Sequence, residues 1–181
     1  ISSFDTSKCT NMGYMFNFCE SLTELDLSHF VTNKVTTTHW MFCSCLALKK
    51  LDVSTWSTNS LTDCRHMFEG CTSLTELDLS SFNVNNVTAL DGMFINCSNL
   101  EVLDISNFHF GGVKQNVPND FFSNCNKLKH IGMIYCRASS FNSLKNTAFN
   151  NLKATPVNVY YHDANLSDLT PHANVTYVYY D

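Results

Sequence analysis

Cys19, Cys45, Cys71, Cys97 and Cys125 recur in register along this chain, each following a Met-Phe or Phe-Phe pair. A repeated thiol has three chemical uses: metal ligand, disulfide partner or nucleophile. Zinc and thioredoxin-type redox sites need paired cysteines at CxxC spacing. The chain has nine cysteines and no such pair; Cys43 and Cys45 are the nearest, with no His or Cys at ligand spacing beside them. A disulfide needs Cα atoms ~4.4–6.8 Å apart with converging Cβ vectors. Stacked neighbours in a column satisfy the distance, but their side chains aim alongside each other. Leu152 is the sixth member of the column, so the site accepts a plain apolar group. The column therefore reads as structural: a small, soft hydrophobe buried where two layers meet. Off the column, Cys9 stands where other copies have Val35, Leu61 and Val87, and Cys64 where they have Met12 and Leu90. Cys43 falls where Asn17, Glu69 and Ile95 do and is expected at the surface.

A second recurring group is Asp26, Asp52, Asp78 and Asp104, with Gly132 in the fifth place. Alternation with leucines points these carboxylates outward, where a stack of like charges repels. Backbone N–H groups, the hydroxyls of Ser28, Ser54, Ser80 and Ser106, or a cation can compensate. Calcium accepts oxygen ligands, but the column lacks the dense acidic loop of a dedicated site, and no metal is assigned. The seven histidines share no column and no ligand spacing. There is no Gly-rich phosphate loop and no nucleophile elbow. The residues thus offer no catalytic group and call for no cofactor. Sequons at Asn86, Asn96, Asn165 and Asn174 bear only on a secreted eukaryotic protein.

The elements that position these groups follow from an internal repeat. "MFNFCESLTELDLSHF" from 15, "MFCSCLALKKLDVSTW" from 41, "MFEGCTSLTELDLSSF" from 67 and "MFINCSNLEVLDISNF" from 93 follow one another at 26 residues. "FFSNCNKLKHIGMIYC" starts 28 residues later at 121, and a decayed copy begins at 148. Leu77 and Leu79 between Glu76, Asp78 and Ser80 alternate as a short strand does. Met12, Met15, Phe16 and Cys19 recur at i, i+3, i+4 and i+7, which predicts a short helix with one buried face. One parallel strand and one short helix per 26-residue unit is an α/β leucine-rich-repeat arrangement, in which stacked units share one core. On such a helix Tyr14 points outward. Its column continues as Trp40, His66 and Gly92, so Tyr14 and Trp40, with Phe18 nearby, form a candidate exposed aromatic strip.

With 181 residues, 44% of them hydrophobic, the chain can bury a substantial core. The formal charge of −5 and the lack of a basic run argue against a nucleic-acid partner. No apolar stretch approaches the ~20 residues of a membrane span, so no membrane insertion is expected in this segment.

The wording "FDTSKCTNMGYMFNFCESLTELDLS", residues 4–28, resembles the BspA-like leucine-rich repeats, whose unit reads close to LDLS.F.TS.VTNM..MF..C.SL. The resemblance spans residues 1–135 strongly and 136–155 weakly. It implies a right-handed solenoid in a bacterial surface or extracellular protein, some members being adhesins. It brings no catalytic residue. Residues 1–155 read as a solenoid of about six repeats, the first incomplete and expected to be preceded by others. Residues 156–181, with "PVNVYY" and "ANVTYVYYD", read as a β-rich C-terminal cap or the start of a following domain. Gly111, Gly112 and Pro118 mark 107–120 as a variable loop. The expected function is a non-enzymatic adhesion module binding a protein or glycan partner on a host or neighbouring cell, with self-association allowed. The candidate binding residues are Tyr14, Trp40, Asp26, Asp52, Asp78 and Asp104. The alternative is a structural stalk or assembly subunit with no soluble ligand.

Overall fold

A computed structural model describes residues 1, 3–108, 120–132, 152, 157–161 and 175–179. Most of the loop expected at 107–120, Met133, Cys136 and the segments flanking the two C-terminal strands lie outside these residues.

The alternating segments form one parallel sheet. Its strands are β1 (Glu76–Asp78), β2 (Val102–Asp104), β3 (His130–Gly132), β4 (Val157–Tyr161) and β5 (Val175–Tyr179), in that spatial order. Register follows the repeat, with Leu77 beside Leu103 and Leu103 beside Ile131. The central residue of each of β1 to β3 is buried and its flanks face outward, as alternation dictates. The pairing extends back through the earlier units by the bonds from Ala47 N to Glu20 O and Lys49 N to Thr23 O. β4 and β5 continue the sheet, still parallel.

The predicted helix is not there: among the described residues no helix occurs. The arc from Met12 to Leu22 is a run of tight turns, closed by bonds from Met15 N to Met12 O, Asn17 N to Tyr14 O, Cys19 N to Phe16 O and Leu22 N to Cys19 O. The intervening N–H groups leave the unit altogether. Met12, Tyr14, Phe16 and Phe18 donate to the carbonyls of Thr37, His39, Met41 and Cys43 in the next unit. Thr38, Trp40, Phe42 and Ser44 donate to Asp63, Arg65, Met67 and Glu69 in the same way. A helix would have to satisfy these groups internally at i−4. The arc instead divides them between its own turns and its neighbour. The i, i+3, i+4, i+7 spacing survives because a tight-turned arc also brings Met12 and Phe16 inward, both buried.

Two columns of left-handed residues make the arc turn. One is Tyr14, Trp40, His66 and Gly92, with φ of 61°, 58°, 55° and 63°. The other is Phe18, Ser44, Gly70, Asn96 and Asn124, with φ of 58°, 58°, 72°, 61° and 63°. Residues of positive φ at the second central position are what turns of type II require, and each of them interrupts a right-handed helix.

Inside, like side chains stack on like. Phe16, Phe42, Phe68, Phe94 and Phe122 form one file of parallel rings, 5.6, 5.7, 5.9 and 6.0 Å apart. Phe30, Trp56 and Phe82 form a second, at 6.4 and 6.3 Å. Trp56 fills a slot that Phe occupies on either side, and its buried Nε1 has no hydrogen-bond partner among the described residues. Thr6, Thr32 and Thr58 form a buried polar column. Each hydroxyl accepts the N–H of the residue 25 positions on (2.8, 2.9 and 2.7 Å) and donates to that residue's carbonyl (3.3, 3.1 and 3.2 Å).

Candidate functional site

The cysteine column lies in the core. Cys45, Cys71, Cys97 and Cys125 are buried, and Cys19, in the first described unit, is partly buried. Every cysteine among the described residues is a free thiol. Each buried column thiol donates to the backbone carbonyl of a phenylalanine in the preceding unit: Cys45 to Phe16 (3.2 Å), Cys71 to Phe42 (3.2 Å), Cys97 to Phe68 (3.1 Å) and Cys125 to Phe94 (3.0 Å). Those carbonyls already accept the N–H that closes their own turn. The thiol uses the second lone pair across the unit boundary. Burial pushes the Cys45 thiol up to about 12 and raises Cys64 and Cys71 as well, which suppresses the thiolate that nucleophilic or ligand chemistry needs. Cys43, expected at the surface, is 2% exposed. Burial raises its thiol too.

The aspartate column faces outward, and its compensating donor is the backbone. The Oδ1 atoms of Asp26, Asp52, Asp78 and Asp104 accept the N–H of Ser28, Ser54, Ser80 and Ser106 at 3.0, 2.9, 2.8 and 2.8 Å. Asp5 repeats the motif with Ser7 at 2.9 Å. These bonds hold the Asp26 carboxyl below its usual range, the Ser28 N–H first and its hydroxyl second. For Asp52 the Ser54 hydroxyl leads and the N–H follows. Lys50 and Asp52 line two shallow grooves on this face, one with Glu76 and Asp78 and the other with Glu24 and Asp26. Among the described residues no three His, Cys, Asp or Glu side chains converge as a metal site requires.

Tyr14 and Trp40 are brought together. Their rings stack with centroids 6.3 Å apart and planes 6° from parallel. Trp40 in turn stacks on His66 at 4.2 Å and 20°. His39 and Tyr14 meet with ring centroids 4.8 Å apart and planes 84° from parallel. Tyr14 is 53% exposed, and Trp40 and His66 are partly exposed. Phe18 is exposed but belongs to the second left-handed column, outside this ladder. The ladder ends at Gly92, where an added Cβ would lie 2.3 Å from His66 Nδ1. Two close contacts to carboxylates lie beside it. His66 Nδ1 meets Glu69 Oε2 at 2.7 Å, and Arg65 meets Asp63 at 2.8 Å. Burial pushes the Asp63 carboxyl up, but the hydrogen bonds and charge of Arg65 outweigh it, and the group sits below its ordinary value.

His39 and His66 are ladder members that scattered histidine spacing did not reveal. The signal for His66 was its column with Tyr14 and Trp40. The ladder is also costly: a bulky residue with positive φ is an outlier, and each left-handed L-residue costs roughly 1–2 kcal/mol. Strain of this kind points to function when it recurs at one surface.

Among the described residues no helix is long and apolar enough to cross a membrane. Comparison with curated proteins and with solved structures found no match. The family model described as "Mycoplasma protein of unknown function, DUF285" matches residues 1–51, 21–133 and 44–168, in overlapping registers that fit a repeated unit. The chain belongs to that family.

Proposed function

We propose that this chain is a right-handed leucine-rich-repeat solenoid of the BspA-like kind, serving as a non-enzymatic interaction module of a larger surface-displayed protein. The 26-residue period, the parallel sheet and the unit-to-unit hydrogen bonds support the architecture. One observation carries the function: the exposed Tyr14–Trp40–His66 ladder, held on left-handed backbone where the next unit has glycine. Aromatic side chains on a rigid scaffold are what interaction hot spots are made of. The partner is a protein or a glycan. The test is surface capture of the 181-residue chain against extracellular matrix proteins and a glycan array. Saturable binding that Trp40→Ala weakens by about tenfold or more, with the circular dichroism spectrum retained, is expected. Lack of saturable binding to every member of both panels would overturn the reading.

A second reading, a stalk or assembly subunit, draws on a different observation. Ile1, Phe4 and Phe18 are 45%, 50% and 64% exposed in the first described unit. Such exposed apolar groups suit contact with a second copy of the chain. Concentration-dependent growth of the scattering mass, without saturable binding to either panel, would favour that reading.

A further inference from the structure

We propose that the outer face of the parallel sheet is a docking surface for a basic protein segment, one that carries several lysines or arginines. This rests on the chain being an interaction module and names the chemistry of its partner. The face is built by alternation. In β1 and β2 the residues on either side of the buried central leucine turn outward. Successive units thus contribute Glu24 and Asp26, Lys50 and Asp52, Glu76 and Asp78, then Val102 and Asp104. Register sets Glu76 beside Val102 and Asp78 beside Asp104, one strand spacing of about 4.8 Å apart. Glu24, Asp26, Lys50, Asp52, Glu76 and Asp78 are exposed, so no described element covers this strip.

Its charge is unmatched. Elsewhere Asp63, Glu69 and Glu101 meet Arg65, His66 and Lys129 at 2.8, 2.7 and 2.7 Å. Among the described residues no carboxylate of the strip has an ion-pair partner, although Lys50 lies among them. The serine N–H bonds fix the orientation of the aspartates and leave their charge in place. Asp52 feels both effects: the Ser54 hydroxyl and N–H hold its carboxyl down, and the neighbouring charge of Asp26 pushes it up. A docked cation relieves that repulsion, and the carboxylates are already held in position to receive it.

Shape and floor choose among cations. A metal ion needs converging ligands, and among the described residues no three such side chains converge. The two grooves along the strip are shallow, with Lys50 and Asp52 lining both, which suits an extended surface better than an enclosed small molecule. Their floor is partly apolar: Leu51 lines one and Leu25 the other, and Val102 is 43% exposed at the end of the strip. Lysine and arginine side chains lay apolar stems on such a floor while their charged ends reach the carboxylates. Nucleic acids and acidic glycans are repelled by the same strip.

The experiment is selection of a displayed random peptide library, about twelve residues per member, on the full 181-residue chain, followed by titration of the best peptide. Enrichment of peptides with several lysines or arginines is expected. Asp52→Asn and Asp78→Asn each weaken binding about threefold, and the double variant about tenfold. Asparagine keeps an Oδ1 acceptor for the serine N–H, so the circular dichroism spectrum and urea midpoint stay close to those of the parent. Asp5→Asn and Asp91→Asn make the same charge change outside the strip and leave affinity within about twofold. Raising salt from about 0.05 to about 0.5 M weakens binding. Equal losses in all four single variants would show attraction to net charge alone and overturn the proposal. Enrichment of neutral or acidic peptides, affinity indifferent to salt, or no enrichment would overturn it as well. Trp40→Ala is expected to leave the basic peptide bound. Peptide binding that depends on Trp40 and ignores Asp52 and Asp78 would sink the docking strip while leaving the interaction-module reading intact. Silence from peptides, glycans and matrix proteins together would sink both.

Discussion

At Cys71 the chemistry of a thiol and the packing of a small apolar group are used at once. Its sulfur donates to the Phe42 carbonyl at 3.2 Å while the side chain is fully buried. An alanine in that place would lose both the bond, worth no more than ~1 kcal/mol for so weak a donor, and the packing of the buried sulfur. The larger consequence is in alkali. Burial raises the folded-state thiols, Cys45 to about 12 from an ordinary value of 9.0. A group raised in the folded state contributes stability that is intact below the unfolded value and lost as pH climbs through the folded one. The thiols' contribution to the urea midpoint is therefore expected to stay level below their ordinary value of 9.0 and to fall above it, toward about 12. Cys45→Ala and Cys71→Ala should each make that fall shallower, which separates the thiols from lysine and tyrosine titration. An alkaline limb equally steep in both variants would show that these thiols do not drive it. The aspartates end differently. An Asp-x-Ser turn was readable as one of three options, and the backbone N–H of the serine is the donor present in every copy.

At the scale of the element, the Met-Phe arc misleads by having the right apolar spacing for the wrong structure. Its burial pattern was legible, and its hydrogen bonding was not. Apolar periodicity reports which side chains turn inward. It does not report whether an N–H bonds within its own unit or crosses to the next, 25 residues away. A clue stood in the sequence all the same. The residue before each column cysteine is Gly70, Asn96 or Asn124 in three of the units, and Gly and Asn are the residues that tolerate left-handed backbone. The two left-handed glycines of the arcs, Gly70 and Gly92, make a discriminating pair. Gly70→Ala meets nothing closer than 3.4 Å, so it should cost only the conformational penalty, about 1 kcal/mol. Gly92→Ala drives a Cβ to 2.3 Å from His66 Nδ1 and should cost more, about 2–4 kcal/mol, while displacing the end of the aromatic ladder. Urea denaturation of both variants checks this. Equal losses would mean that the His66 ring moves aside freely.

Among the described residues, stability rests on contacts that cross from one unit to the next, through backbone bonds and files of stacked rings. Phe68 sits in the middle of the longer file, between Phe42 at 5.7 Å and Phe94 at 5.9 Å. Phe68→Ala should cost about 3–5 kcal/mol. If the stack unfolds as one unit the urea m-value stays unchanged. A lowered m-value would mean that the cavity uncouples the units on either side. The sequence by itself determined the period, the register of the strands and which columns turn inward, because these depend on side-chain type at fixed spacing. The tertiary structure alone decided that the arcs are turns rather than helices, that the cysteines donate to the preceding unit and that Cys43 is buried. It also decided that Tyr14, Trp40 and His66 form one ladder. The physical reason is shared. The turns, the thiol bonds and the ladder are fixed by contacts between residues 25 to 31 positions apart, and such contacts exist only after the units have stacked.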